Sequence, residues 1–336
     1  MLAVVLVGGF GTRLRPLTLS KPKQMLPVGQ VTMLERVVAK LAAAGVTQVI
    51  LSLGYQPDAF LEEFPDGMCA GVNMHYAVEP EPLDTAGAIR FAANHAGITE
   101  RFFAVNGDVL TDLDLAGLWA AHESFGGEAT LALTPVEDPS RYGVVPIDSA
   151  GRVEAFIEKP PAGTAPSNWI NAGTYVLEPS IFDRIPANGR VSIERETFPA
   201  IVADKALYGM HSDAYWIDAG TPEAYLQAHL DLIDGVRGAP EECVDSSATV
   251  HSDAVVSRSM IGPGVHIEAG AQVVDSVVMS NCRVGAGAQI SRSILGGGCS
   301  VGESSSLSDL SIVGFDQDLG AGTVSVGGRF PSPETW

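Results

Sequence analysis

The chain has 336 residues, enough for two domains and a sizeable core. Its 40 Asp and Glu outweigh its 20 Lys and Arg, a formal net charge of −20 at pH 7, which argues against nucleic acid and anionic membranes as partners. Cys69, Cys243, Cys282 and Cys299 show no Cys-x-x-Cys spacing and are expected to be reduced, small apolar fillers; the N-terminal apolar run is too short for a signal peptide or a membrane span, and the expected location is cytoplasmic.

Leu2 to Val7 is short, apolar and β-branched, the pattern of a buried parallel strand, and it ends at a glycine pair. Gly8, Gly9 and Gly11 can take backbone angles that a Cβ disfavours and let amide hydrogens face a ligand, a geometry that suits phosphate. Four cations, Arg13, Arg15, Lys21 and Lys23, follow within eleven residues of an otherwise acidic chain, which points to an anionic ligand. Neither the Gly-x-Gly-x-x-Gly of a dinucleotide site nor the Gly-Lys-Ser/Thr of a P-loop is present. Pro16, Pro22 and Pro27 rule out one uninterrupted helix here, so Arg13 and Lys23 are expected on an extended excursion.

Beyond it, helical spacing over 33–44 stops at Gly45, and a strand is predicted over 47–53. A helix over 57–64, a strand over 73–79, a helix over 86–94 and a strand over 102–105 continue the alternation. The pattern predicts an α/β fold, a Rossmann-like, mostly parallel sheet with helices on both faces and ligands beyond the carboxyl ends of its strands. Asn106-Gly107-Asp108 lies at such an end. Asp108 suits a hard cation, or the cap of a helix starting near Leu113, for which Asp112 is the better candidate.

A helix from Leu118 and a strand over 129–136 lead to Tyr142-Gly-Val-Val145. Strands are then predicted over 153–160 and 169–176, each with polar residues interrupting an apolar run: Glu158, Lys159 and Asn171. Glu158 and Lys159 read equally as a surface pair worth little. Ser192 opens a helix with acids in its first turn, and Thr221 before Pro222 caps another over 222–233, leaving Asp218 without a capping role.

Residues 236–243 read as a linker between a domain over 1–235 and a repeat over 244–327, with 328–336 as a tail. In the repeat, Val244, Val250, Val256, Ile261, Ile267, Val273, Val278, Val284, Ile290, Leu295, Val301, Leu307 and Ile312 recur in steps of 6, 6 and 5. Neither helix nor plain strand has that period. It is the hexapeptide pattern of a left-handed parallel β-helix, here of four turns and a ragged partial one, with His251 and His266 pointing outward. Such coils commonly serve assembly, so a homo-oligomer is expected.

Gly8-Gly-Phe-Gly-Thr-Arg-Leu-Arg-Pro-Leu-Thr18 with Lys21-Pro-Lys-Gln-Met-Leu-Pro27 resembles the signature of the sugar-1-phosphate nucleotidyltransferases, which join a nucleoside triphosphate to a sugar 1-phosphate and release pyrophosphate. The resemblance implies Arg13, Lys23 and Asp108 as catalytic residues, and Gly8, Gly9, Gly11, Thr12, Arg13, Lys23, Thr85 and Gly87 as nucleotide-binding. It implies Gly143, Glu158, Lys159 and Asn171 as the sugar-phosphate site, and Asp108 and Asp218 as ligands of Mg2+. Thr85-Ala-Gly87 and Ser192-Ile-Glu-Arg-Glu196 are similar to the branch that uses GTP and mannose 1-phosphate, although Asp84 stands where that branch usually has glycine. Glucose 1-phosphate with dTTP or UTP is the alternative, and a non-catalytic regulatory subunit the reading from a different class.

Overall fold

The structure is a computed structural model that describes residues 1–54 and 57–336. The chain forms two compact units, one of Met1–Gly9 with Leu34–Trp216 and one of Phe10–Met33 with Ile217–Trp336. Among the described residues no helix is long and apolar enough to cross a membrane.

The first unit is built on four parallel strands, β1 (Leu2–Leu6), β2 (Gln48–Leu53), β3 (Val72–Val78) and β4 (Phe102–Asn106). β1 pairs with β2 from Leu2↔Gln48 to Leu6↔Ser52 and with β4 from Ala3↔Phe103 to Leu6↔Asn106, and β3 lies beyond β2. The order β3-β2-β1-β4 places a topological switch between β1 and β4, the point at which open α/β sheets bind ligands beyond the strands' carboxyl ends. Helices Met33–Ala43, Pro57–Glu63 and Asp84–Ala96 make the crossovers. Small residues on one face of the last of these, Ala86, Ala92 and Ala93, let it pack closely on Val4, Ile50 and Ala104.

Beyond β4 the sheet turns antiparallel. Trp169–Leu177 pairs with β4 and with Ala129–Pro135, which in turn carries Leu207–His211 in parallel. The strand expected over 153–160 contracts to Ile157–Glu158. Lys159 has φ +49°, outside the strand region, and Pro160 has no N–H to give, so the ladder ends there.

In the second unit the segment after the glycine loop is not extended, as expected, but folded into three single 3-10 turns, Thr12–Leu14, Leu17–Leu19 and Lys23–Met25. The prolines do break a continuous helix, but the stretches between them bury Leu14, Leu17, Met25 and Leu26 by turning back. The helix Pro222–Ile233 follows later in the chain, and then the coil.

The coil consists of three parallel sheets of five short strands each, the arrangement of a left-handed β-helix. It therefore makes five turns rather than four and a fragment, and its last strand, Arg329–Phe330, lies within the expected tail. Ile261, Val278 and Leu295 stack inside one face. In the next turn the inward place belongs to Val313, not Ile312 as expected, because one corner gains a residue. Other corners turn on a single left-handed residue, Arg258, Asp275 or Arg292; this one uses two, Asp309 and Leu310. Corner serines form a buried ladder, with Ser259 Oγ accepting the Ser276 N–H at 3.0 Å and Ser276 Oγ accepting the Ser293 N–H at 3.1 Å. His251 and His266 point outward as expected.

Candidate active site

β1 delivers the chain to Gly8 and Gly9, and a Cβ built on either would meet no atom of the described residues within 4 Å. Among the described residues no packing calls for glycine at Gly8, and bare backbone facing open space is what close approach of a ligand requires; Gly9 has φ +96°, a backbone that itself favours glycine. Gly11 differs. It has φ +58°, and a Cβ there would lie 3.0 Å from Thr18 Cγ2, while Thr18 Oγ1 donates to the Gly11 carbonyl at 2.7 Å. Gly11 therefore forms the turn that starts Thr12–Leu14, the turn carrying Thr12 and Arg13.

The Arg13 side chain is 61% exposed and its guanidinium lies 3.8 Å from Asp218 Oδ2. Lys23 begins the third 3-10 turn. Lys21, by contrast, places its Nζ 5.3 Å from the centre of the Phe315 ring in the coil. Beside Lys23, the buried Gln24 has neither amide atom hydrogen-bonded, a cost that a ligand group or water would relieve. Sequence reasoning passed over it because a glutamine among cations carries no charge signal.

Gly107 holds β4's exit against β1: its N–H donates to the Leu6 carbonyl at 2.9 Å, and a Cβ would strike Val7 Cγ1 at 2.8 Å. Asp108 follows at the switch edge. The helix after it starts at Leu115 and is capped by Asp114, which accepts the Gly117 N–H at 2.9 Å, so neither Asp108 nor Asp112 serves as its cap. Asp218 accepts the Gly220 N–H through Oδ1 at 2.9 Å, and Thr221 caps the helix Pro222–Ile233 as expected. Among the described residues no group of three or more His, Cys, Asp or Glu is gathered to hold a metal ion. A cation at either aspartate would draw on a carboxylate together with oxygens of a ligand, the manner in which Mg2+ is usually bound beside phosphates.

The loop before Asp84–Ala96 is organised by Glu79, which sequence reasoning also missed. Its Oε1 accepts from Ser52 Oγ at 2.9 Å and its Oε2 from the Leu83 N–H at 3.0 Å. The available signal was a carboxylate one residue past a strand's end. Asp84 has φ +60°, and its Oδ1 accepts the Thr85 N–H at 2.9 Å. That explains the departure from glycine: the position demands left-handed backbone, which glycine adopts freely and aspartate tolerates better than most. Thr85 Oγ1 reaches Glu194 at 2.8 Å. Gly87 is tightly held, since a Cβ would lie 3.0 Å from Leu83 Cβ and 3.1 Å from the Gly189 carbonyl oxygen.

Gly143 pairs with Glu158 across two antiparallel strands, and a Cβ on it would strike the Phe156 ring at 2.7 Å. Glu158 and Lys159 do form an ion pair, at 3.0 Å, with the lysine largely exposed. Asn171 lies at a bulge in Trp169–Leu177 made by Gly173, φ +72°. Its Oδ1 accepts the Gly173 N–H at 3.0 Å and its Nδ2 donates to the Tyr175 hydroxyl at 2.8 Å. Burial pushes the Tyr175 phenol up, keeping it neutral. The amide is thus fixed in orientation, with one N–H and one lone pair left for a ligand. Gly8, Gly9, Thr85, Gly87, Asp108, Gly143, Glu158, Lys159 and Asn171 belong to the first unit, and Gly11, Thr12, Arg13, Lys23 and Asp218 to the second.

A Mycobacterium tuberculosis protein named mannose-1-phosphate guanylyltransferase is 42% identical over 288 residues, covering 82% of this chain and 79% of that one. The Schizosaccharomyces pombe mannose-1-phosphate guanyltransferase is 40% identical over 264 residues, 77% of this chain and 72% of its own. Among solved structures, HddC from Yersinia pseudotuberculosis matches with TM-score 0.58 and 30% identity, over 68% of this chain and 97% of that one. A putative glucose-1-phosphate thymidylyltransferase from Bacillus anthracis matches with TM-score 0.62, over 68% and 94%, but at 24% identity this likeness concerns the fold alone. Residues 239–328 match the GMPPB C-terminal domain. Residues 2–235 match the nucleotidyl transferase family, and the chain belongs to it.

Proposed function

We propose that the chain transfers the guanylyl group of GTP to mannose 1-phosphate, forming GDP-mannose and releasing pyrophosphate. The observation that carries this reading is the similarity, at about 40% identity over most of the chain, to relatives named for that reaction. Asp84, which stands where that branch usually has glycine, has a backbone reason and gives no support to the thymidylyl alternative.

In this reading the amides of Gly8, Gly9 and Gly11, the Thr12 turn, and the side chains of Arg13 and Lys23 hold the triphosphate. Thr85 and Gly87 belong to the loop that faces the base. Glu158 and Asn171 hold sugar hydroxyls beside the Gly143 backbone, and Lys159 holds the sugar's phosphate. An oxygen of that phosphate bonds to the α-phosphorus as the bond from the α-phosphorus to its bridging oxygen breaks, and the electron pair leaves with pyrophosphate. The attacking oxygen is already anionic near neutral pH, so the residues need only align two mutually repelling anions and offset charge as it builds. Asp108 and Asp218 would hold Mg2+, which supplies further neutralisation of the phosphates. The coil would serve as the surface of a homo-oligomer.

Pyrophosphate release measured over a grid of nucleoside triphosphates and hexose 1-phosphates, with and without Mg2+, tests the assignment. A best rate with GTP and mannose 1-phosphate is expected; a best rate with dTTP and glucose 1-phosphate overturns it.

A further inference from the structure

The segment Ser192–Glu196 carries more acid than a helix start requires. Ser192 Oγ accepts the Arg195 N–H at 3.3 Å, and Glu196 answers by accepting the Ser192 N–H through Oε1 at 3.1 Å, a reciprocal cap. Glu194 caps no backbone N–H itself but holds the capping hydroxyl and reaches beyond it. Its Oε2 accepts from two hydroxyls, Ser192 Oγ at 2.9 Å and Thr85 Oγ1 at 2.8 Å.

Thr85 is spent at the same point, because its Oγ1 also accepts the Ile193 N–H at 2.8 Å. Backbone bonds flank this contact: Val191 N–H donates to the Leu83 carbonyl at 3.0 Å, and Ala86 N–H to the Val191 carbonyl at 2.9 Å. Residues Ile193–Thr197 form one turn of π-helix before the α-helix Phe198–Ala203, a wide turn of the kind that recurs where helices serve a site. The charge of Glu194, shared by two hydroxyls, makes these hydrogen bonds stronger than neutral ones.

We propose that Glu194 is a positioning residue for base selection: through Thr85 its carboxylate fixes residues 83–87 in the conformation that discriminates the nucleotide's base. The inference rests on the reading of this loop as the one that faces the base.

The test is steady-state kinetics on the full chain with Glu194→Gln, Thr85→Val and Thr85→Ser. Glu194→Gln and Thr85→Val should each raise the KM for GTP on the order of tenfold and narrow the preference for GTP over other triphosphates, since each weakens a charge-assisted hydrogen bond. The KM for mannose 1-phosphate should stay within about twofold, because uniform loosening is not involved. Thr85→Ser keeps the hydroxyl and should recover most of the GTP selectivity that Thr85→Val loses, and the double variant should lose less selectivity than the two single losses multiplied, as the shared contact cannot be lost twice. Unchanged base preference in both single variants overturns the inference, as does an equal rise in both KM values or a Thr85→Ser protein that behaves like Thr85→Val. If Glu194→Gln fails to fold, the Thr85 pair decides alone. A parent chain that makes no GDP-mannose defeats the assigned reaction; the inference is then read from calorimetric binding of the triphosphates, where selectivity lost in the variants upholds it and selectivity unchanged, or no binding at all, overturns it.

Discussion

Arg13 approaches Asp218 to 3.8 Å, a mostly exposed guanidinium beside a mostly covered carboxylate. An exposed pair at that distance contributes about 0–1 kcal/mol to stability. A cation that offsets charge on a transferring phosphoryl group is worth far more in turnover, on the order of a hundredfold or more. Arg13→Ala is therefore expected to unfold within about 2 °C of the parent and to lose at least a hundredfold in kcat for pyrophosphate release. Thermal unfolding and kinetics on the same preparation check this; a large fall in stability with activity retained would make Arg13 a structural residue.

Gly8 and Gly107 lie near the same strand ends and have opposite reasons to be glycine. A Cβ on Gly107 meets Val7 Cγ1 at 2.8 Å and the Leu6 carbonyl oxygen at 2.9 Å, and neither backbone nor buried strand side chain can yield cheaply. Gly107→Ala should lower stability by about 1–3 kcal/mol, the usual cost of overpacking. On Gly8 a Cβ meets no atom of the described residues within 4 Å. Gly8→Ala should fold normally and raise the KM for the triphosphate on the order of tenfold by obstructing close approach. Urea midpoints and KM values separate the two; a destabilised Gly8→Ala would tie that glycine to folding instead.

Asp84 gives the third prediction. At φ +60°, a non-glycine residue bears about 1–2 kcal/mol of backbone cost, eased here by the bond from the Thr85 N–H to its own carboxylate. Asp84→Gly removes the cost but also loses that bond and about 0.5–1 kcal/mol to the freer unfolded chain, so the net change should lie within about 1 kcal/mol. Asp84→Val, β-branched and unable to make the bond, should cost about 2 kcal/mol or more. A urea titration of both variants decides; equal stability of the valine and glycine proteins would remove the backbone explanation.

That residue also shows where reading a sequence stops. A glycine would have announced its left-handed backbone; an aspartate in the same conformation looked like a departure from the branch. The alternation of strand and helix was legible because burial imposes a period on every element, and so were β1, the glycine loop and the strand end at Asp108. The hexapeptide step was legible for the same reason until the corner at Asp309 and Leu310 added a residue and moved the inward place to Val313. The link between Thr85 and Glu194 was not, because it joins residues 109 apart through side chains, one of which had an adequate local explanation as an acid in the first turn of a helix. Local rules account for a residue one partner at a time, whereas a site spends one residue on several.

Lys21 and Lys23 stand two residues apart in the signature and are expected to differ in kind. Lys21 lies over the Phe315 ring at 5.3 Å, and the same segment is tied down further on, where Gln30 Nε2 donates to the Ile261 carbonyl at 3.2 Å and the Tyr225 hydroxyl donates to the Pro27 carbonyl. An exposed cation–π contact contributes about 0.5–1 kcal/mol. Lys21→Met should therefore lose a small part of the stability and keep kcat within about threefold, because its charge serves the coil and not the substrate. Lys23→Ala should keep its stability and lose on the order of a hundredfold in turnover. Phe315→Ala, which takes away the ring, should reproduce the small stability loss of Lys21→Met, and the two changes together should cost no more than one of them. Parallel kinetics and melting curves on the four proteins check the division. Equal loss of turnover in Lys21→Met and Lys23→Ala would place both amines on phosphate and leave the aromatic contact without a role.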